Sequence, residues 1–321
     1  MIKNEKLKEL IAKLKNAQNR FKKEFGLSDI VSNSKIFEVL IANTLDHKLI
    51  PKLSGARDAV DSDGQEYEYK HYKKTSSNHT WTFNDFTDST IKKLYLIKAV
   101  IFAFIDDTKD LPCFDWYYSV PGKDIGNYLN IETRKIKNNR KMINVGPGQI
   151  EGNLKIKKSF VDRDMNFGKY AFYIKEIFKI AQEIEVITNI KQILTSNKFW
   201  EMLVSLETGH RIMSEQAGHD AEDEEGNLYE YKVSKTYSWN FQDISNEVLD
   251  KYLKDKEIIC ATVDKSSFKV LDIYRAPSQK IVKLLKKKLK DKKKKFKLKG
   301  KTLRRLQVSI SKSDIGKIIK S

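Results

Sequence analysis

The sequence predicts an α/β fold of the mixed α+β kind, built as two tandem domains of about 1–157 and 170–321 joined by a linker at 158–169. Two observations carry this expectation. The windows DAVDSDGQEYEYK (Asp58 to Lys70) and DAEDEEGNLYEYK (Asp220 to Lys232) superimpose without a gap at an offset of 162, with eight of thirteen positions identical, so internal repetition has to be settled before the fold. The match then runs on in both directions with small gaps. KIFEVL (Lys35 to Leu40) meets KFWEML (Lys198 to Leu203), WTFND (Trp81 to Asp85) meets WNFQD (Trp239 to Asp243), and AVIFAFID meets EIICATVD.

Each copy reads in the same order. A helix around Glu38 or Glu201 comes first. Two short strands follow, their turn marked by Asp63-Gly64 or by Glu225-Gly226-Asn227, where glycine supplies the positive φ of a hairpin. A third strand carries WTF or WNF. A helix of period 3.6 spans about Ser89 to Lys98, or Ile244 to Lys254. The unbroken apolar runs AVIFAFI and IICATV then read as strands buried on both faces. The result is an α-β-β-β-α-β core with a mixed sheet flanked by helices. Weaker echoes continue through YSVP (Tyr118 to Pro121) against YRAP (Tyr274 to Pro277), and RKMINV (Arg140 to Val145) against RRLQV (Arg304 to Val308).

Composition narrows the function. Cys113 and Cys260 have no CxxC or Cys/His spacing, which argues against a disulfide framework or a zinc site. No apolar run reaches membrane-spanning length and the N-terminus has no apolar signal core, so a cytoplasmic protein is expected. The formal net charge is +18, of which +16 lies between Lys280 and Ser321, with 18 Lys or Arg against Asp291 and Asp314. That segment is either a phosphate-contacting surface or a solvated basic helix. Ile281, Val282, Leu284, Leu285 and Leu289 give it one apolar face. No GxxxxGKS loop is present, which argues against ATP-driven action.

The shared motif carries the chemistry. On a strand after the hairpin turn, Glu68 and Lys70 share one face while Tyr67 and Tyr69 take the other. Asp58 is delivered from the adjacent strand. Carboxylates beside a lysine suit Mg²⁺, a hard ion that accepts one or two carboxylates and keeps its remaining positions for water and phosphate oxygens. Asp58 and Glu68 are therefore expected as metal ligands and Lys70 as the electrostatic or water-positioning group, with Asp220, Glu230 and Lys232 as their counterparts. Asp61 and Asp223 are further metal candidates or, equally, turn-capping residues. His47 and His210 correspond between the copies and read as structural or phosphate-facing.

D-(x)9-E-x-K on a hairpin, in this order of elements, resembles the PD-(D/E)xK nuclease superfamily and, within it, type II restriction endonucleases. The proline of that motif is replaced by Arg57 and His219. The resemblance implies a Mg²⁺-dependent DNA endonuclease acting on double-stranded DNA, with a cognate DNA methyltransferase in the host. It also implies that a glutamate on the preceding helix joins the metal site, a place held by Glu38 and Glu201. Two intact sets in one chain suggest a pseudo-twofold monomer in which each copy cuts one strand. Candidate DNA contacts are Arg57 and His219 beside the first Asp, Lys73, Asn78 and Lys235 in the loops after YEYK, and Arg140, Asn144, Arg304, Arg305 and Gln307 in the paired later segments. A repair or junction nuclease and a catalytically silent DNA-binding protein on the same fold are the alternatives.

Overall fold

The computed structural model describes residues 2–31, 35–51, 57–84, 87–136, 142–162, 164–214, 218–298, 300 and 306–320. The chain forms two compact units, Ala12–Glu183 on one side and Met1–Ile11 with Ile184–Ser321 on the other. The limits fall inside helices α1 (Ile2–Phe25) and α6 (Ala171–Thr188) rather than in the 158–169 stretch where the sequence places a linker. Aromatic packing explains the shift. Tyr173 of α6 meets Phe21 of α1 edge-on at 5.3 Å, and Tyr170 meets Phe25 at 4.7 Å. These contacts tie the start of α6 to the first unit.

In Ala12–Glu183, α2 (Lys35–Leu45) buries Ile36, Phe37, Val39, Leu40 and Ile41. β1 (Lys48–Leu49), β2 (Ala59–Val60) and β3 (Glu66–Lys73) pair antiparallel. The β2–β3 turn has Gly64 at φ 76°, and the Asp61 carboxylate accepts from the Asp63 and Gln65 amides at 3.0 and 2.9 Å. Next come β4 (Trp81–Phe83) and α3 (Asp88–Leu94), the latter closed at its start by a reciprocal Thr87–Thr90 capping box. β5 (Ala99–Asp106) lies parallel to β3, and β6 (Cys113–Pro121) returns antiparallel to β5. Then follow α4 (Gly122–Lys135), β7 (Ile143–Val145), α5 (Pro147–Gly152) and β8 (Ser159–Phe160), which pairs with β6. The six-stranded order is β1-β2-β3-β5-β6-β8.

The second unit contains α7 (Lys198–Thr208), β9 (Arg211–Ile212), β10 (Ala221–Glu222), β11 (Leu228–Ser234), β12 (Ser238–Phe241) and α8 (Asn246–Tyr252). These are followed by β13 (Glu257–Asp264), β14 (Lys269–Pro277), α9 (Ser278–Leu298), β15 (Val308–Ser311) and α10 (Lys312–Lys320). Its five-stranded order is β14-β13-β11-β10-β9, again with one parallel pair, β11 with β13.

Two features differ from the sequence expectation in both units. The WTF and WNF strands leave the main sheet: β4 pairs with β7, and β12 with β15, as separate two-stranded ribbons. Each holds its tryptophan against the sheet, since Trp81 Nε1 donates to the Ala103 carbonyl and Trp239 Nε1 to that of Ala261, both at 2.8 Å. The apolar strands β5 and β13 also gain an antiparallel neighbour, β6 or β14, that satisfies their outer backbone edge. Trp81, Phe102, Tyr118 and Leu129 anchor one core, and Trp239, Ile258, Ile281 and Leu285 the other.

Candidate active site

Asp58 stands at the entry to β2, held there by main-chain pairing: its amide donates to the Tyr67 carbonyl at 2.8 Å, and its carbonyl accepts from Ile50 at 2.9 Å. Its Oδ2 accepts from the Tyr69 amide at 2.7 Å. One carboxylate oxygen is thereby aimed at β3, where Glu68 and Lys70 form an ion pair. Glu38 arrives from α2. Burial, followed by the charges of Glu68 and Glu38, pushes the Asp58 carboxyl well above the usual range. Burial first, offset by Lys35 and Lys70, pushes Glu38 up to about 7. Lys70 moves upward despite burial, because Glu68 and Asp58 favour its charged form. Glu38 and Asp58, both held toward their neutral forms beside Glu68, make a carboxylate cluster that fits a divalent cation, which would favour their ionised forms. Glu38, Asp58 and Glu68 would hold Mg²⁺ here. A narrow cleft lined by Lys35, Glu38 and Asp58 opens beside them.

The opposite face of β3 is structural. Tyr69 Oη lies 2.7 Å from His47 Nδ1, and the His47 ring stacks on Tyr67 at 4.3 Å. Burial pulls the His47 pKa down to about 4, so the ring stays neutral. Asp61 belongs to this side: besides the turn amides it accepts from Tyr67 Oη at 2.9 Å and Lys98 Nζ at 3.0 Å. Both of its oxygens are engaged in holding the hairpin.

The second unit repeats this arrangement. The Asp220 amide donates to the Tyr229 carbonyl at 3.0 Å, and its Oδ2 accepts from the Tyr231 amide at 2.8 Å. Glu230 and Lys232 form an ion pair, and Lys232 Nζ lies 5.6 Å from the Phe241 ring, as Lys70 lies 5.5 Å from Phe83. His210 Nδ1 lies 2.9 Å from Tyr231 Oη. Asp223 accepts from the Glu225 and Asn227 amides and from Tyr229 Oη, which makes it the turn brace of this copy. Glu201 is again pushed up to about 7, by burial and then by Asp220. Asp220 itself moves the other way from Asp58. Burial would raise it, but Lys198 and Lys232 hold it below the usual carboxylate range. The Lys198 ammonium lies 2.7 Å from Glu201 Oε2 and 2.5 Å from Asp220 Oδ1. A larger cleft lined by Asn197, Trp200, Glu201, Lys232 and Asn240 opens here.

Residues 2–160 match the family restriction endonuclease PvuII. This segment belongs to that family. No curated protein matches the chain. Family membership indicates a DNA endonuclease of the restriction type, with DNA as its substrate, and the Asp58–Glu68–Lys70 cluster lies within the matched segment. Among the described residues no helix is long and apolar enough to cross a membrane.

The candidate DNA contacts are scattered. Arg57 pairs with Glu66 at 2.8 Å, and Lys73 lies 3.8 Å from Asp107. Asn78 is exposed and accepts from Thr80 Oγ1, while Lys235 is exposed after β11. Asn144 sits on the outer face of the β4–β7 ribbon, accepting from Thr82 Oγ1 at 2.8 Å. Gln307 is half-buried beside β15, its carbonyl accepting from Lys292 Nζ at 2.6 Å. Arg140, Arg304 and Arg305 lie outside the described residues. His219 turns to Asp255, with Nδ1 2.7 Å from Oδ1.

Three groups fall outside the sequence expectation. Asp255 is buried, and desolvation, opposed by the His219 hydrogen bond, raises its carboxyl to about 6. Lys198 is visible in the sequence only as the lysine shared by KIFE and KFWE, an i,i+3 pair that reads as an ordinary helix-surface ion pair. Asp106, Cys113 and Asp115 bring ligand atoms within 4.8 Å of one another where β5 turns into β6. That group lies about 20 Å along β5 from the strand end beside Glu68, and Lys109 Nζ already contacts Cys113 Sγ at 3.0 Å.

Proposed function

We propose that the chain is a Mg²⁺-dependent type II restriction endonuclease that hydrolyses both strands of duplex DNA at a specific sequence, with one active site in each of two tandem copies related by a pseudo-twofold axis. The carrying observation is the repetition of one geometry at an offset of 162: an Asp Oδ2 fixed by the amide of the second tyrosine, and a Glu–Lys pair on the neighbouring strand. A random recurrence of the tetrapeptide YEYK does not reproduce the strand register around it, Ala59 opposite Tyr67 and Ala221 opposite Tyr229. A chain with both sites acts as a monomer, and its host carries a cognate methyltransferase.

Glu38, Asp58 and Glu68 in one copy, and Glu201, Asp220 and Glu230 in the other, would hold Mg²⁺, which would supply water activation at neutral pH and charge stabilisation at the phosphoryl group. The protein's own contribution lies in charge and placement. Lys70 keeps its proton because Glu68 and Asp58 outweigh its burial, so it acts as a fixed positive charge on the phosphate rather than as a base. Lys232 does the same beside Glu230 and Asp220. Specificity is assigned to the outward faces of the two ribbons, where Thr82 and Asn144 in one copy face the same task as Asn240 and Ser309 in the other. Their unlike side chains favour an asymmetric or imperfectly palindromic target.

Plasmid digestion with Mg²⁺ tests the two-site reading. Wild type is expected to give linear product, whereas Lys70→Ala and Lys232→Ala each accumulate nicked circles. If one substitution abolishes all cutting and the other does nothing, one copy is a binding module and the two-site reading fails.

A further inference from the structure

Lys35 and Lys198 hold the same place in the two copies, three residues before the helix glutamate, yet they behave differently. Lys198 is only 4% exposed, and its ammonium bridges Glu201 and Asp220, two of the three carboxylates of the second site. Lys35 is half-buried at the rim of the first cleft and reaches Glu38 only through its field, with no ion pair to Glu38 or Asp58 among the described residues. Burying an ammonium is costly unless carboxylates surround it, so Lys198 stays only because it finds there what a metal ion would find. In the first site no ammonium bridges Glu38 and Asp58 among the described residues.

We propose that Lys198 is a tethered cation occupying the metal position of the second site, so that Mg²⁺ enters there only by displacing it and the two sites load in order, the first before the second. This rests on reading both clusters as metal sites. Displacement is a simple exchange: the ammonium leaves two carboxylate oxygens and the divalent ion takes them, with release to solvent of any proton that Glu201 holds. At limiting Mg²⁺ the chain then holds one loaded site and nicks DNA, and at higher Mg²⁺ it holds two and cuts both strands. One lysine thereby sets a threshold for double-strand cleavage.

The test is Mn²⁺ uptake by the full chain without DNA, read from the electron paramagnetic resonance signal of free Mn²⁺. Wild type is expected to show two classes of site separated by at least about tenfold in affinity, from one added charge at contact distance. Glu68→Gln should remove the tighter class and Glu230→Gln the weaker. Lys198→Met should tighten the weaker class toward the other, while Lys35→Met leaves that class where it was. Equal affinities in wild type, loss of the tighter class in Glu230→Gln, or a folded Lys198→Met with an unmoved weaker class each overturns the proposal. If Lys198→Met does not fold, the wild-type and glutamine titrations decide alone. Uptake that responds to neither Glu68→Gln nor Glu230→Gln overturns the metal-site reading itself, and the ordering with it.

Discussion

Replacing Glu38 by glutamine should stabilise the metal-free protein, and only at high pH. The carboxyl of Glu38 sits near 7 in the folded chain against an ordinary 4.5, chiefly because it is buried. A folded-state value raised this way contributes stability that is fully present below about pH 4.5 and lost as pH rises through about 7, since the folded site then has to hold a charge that the unfolded chain carries freely. The cost in wild type is under about 1 kcal/mol at pH 5 and about 3 kcal/mol at pH 8. Glu38→Gln keeps the shape and removes the charge, so it should gain roughly that difference. Relief of Asp58, which Glu38 also pushes upward, adds in the same direction. Equilibrium urea unfolding with a chelator present, at pH 5 and pH 8, measures it. Saturating Mg²⁺ should reverse the ranking at pH 8, because the ion stabilises the wild-type carboxylate by mass action. A variant no more stable than wild type at pH 8, or equally stabilised at both pH values, would refute the argument that Glu38 is held in the fold at the expense of its charge.

Three further outcomes are expected. Asp223→Ala removes the acceptor for two turn amides and the Tyr229 hydroxyl, so the second unit should lose about 1–3 kcal/mol in urea unfolding while Mn²⁺ uptake is retained; abolished uptake would return Asp223 to the ligand set. Gly122→Ala would place a Cβ 2.2 Å from the Leu94 carbonyl oxygen and 2.5 Å from that of Ile97, and both are main chain that cannot step aside. Destabilisation beyond about 2 kcal/mol is expected in the same assay. Changing exposed lysines of α9 to glutamine, among them Lys283, Lys286, Lys287 and Lys290, should flatten the slope of log affinity for duplex DNA against log salt by about 0.9 for each phosphate no longer neutralised; an unchanged slope assigns α9 to solvation alone.

Much of the site is legible in the sequence because the motif and its strand coincide. Alternation along YEYK separates Glu68 and Lys70 from the two tyrosines, and β3 keeps that alternation, with Tyr69 turned to His47 and Glu68 to Lys70. Asp61 is readable only as a choice between ligand and turn cap, since a carboxylate two residues before Asp63-Gly64 suits either. The hydrogen bonds from Asp63, Gln65, Tyr67 and Lys98 show only in the fold that both of its oxygens brace the turn. The WTF and WNF strands are recognisable as strands, but their partners lie some sixty to seventy residues onward at Ile143–Val145 and Val308–Ser311, a separation at which local pattern carries no information about pairing.

By itself the sequence determined the repeated motif, the order of helices and strands around it, the burial of the apolar strands and which Asp, Glu and Lys come together on each hairpin. Periodicity and residue chemistry are local properties, and they survive in one dimension. Only the tertiary structure decided that α6 begins with the first unit, that the tryptophan strands form separate ribbons, and that Lys198 enters its carboxylate cluster while Lys35 stays at the rim. Those outcomes depend on where a side chain finds aromatic surface or opposite charge after the chain has folded, and two lysines at matching places in a repeat can find different ones.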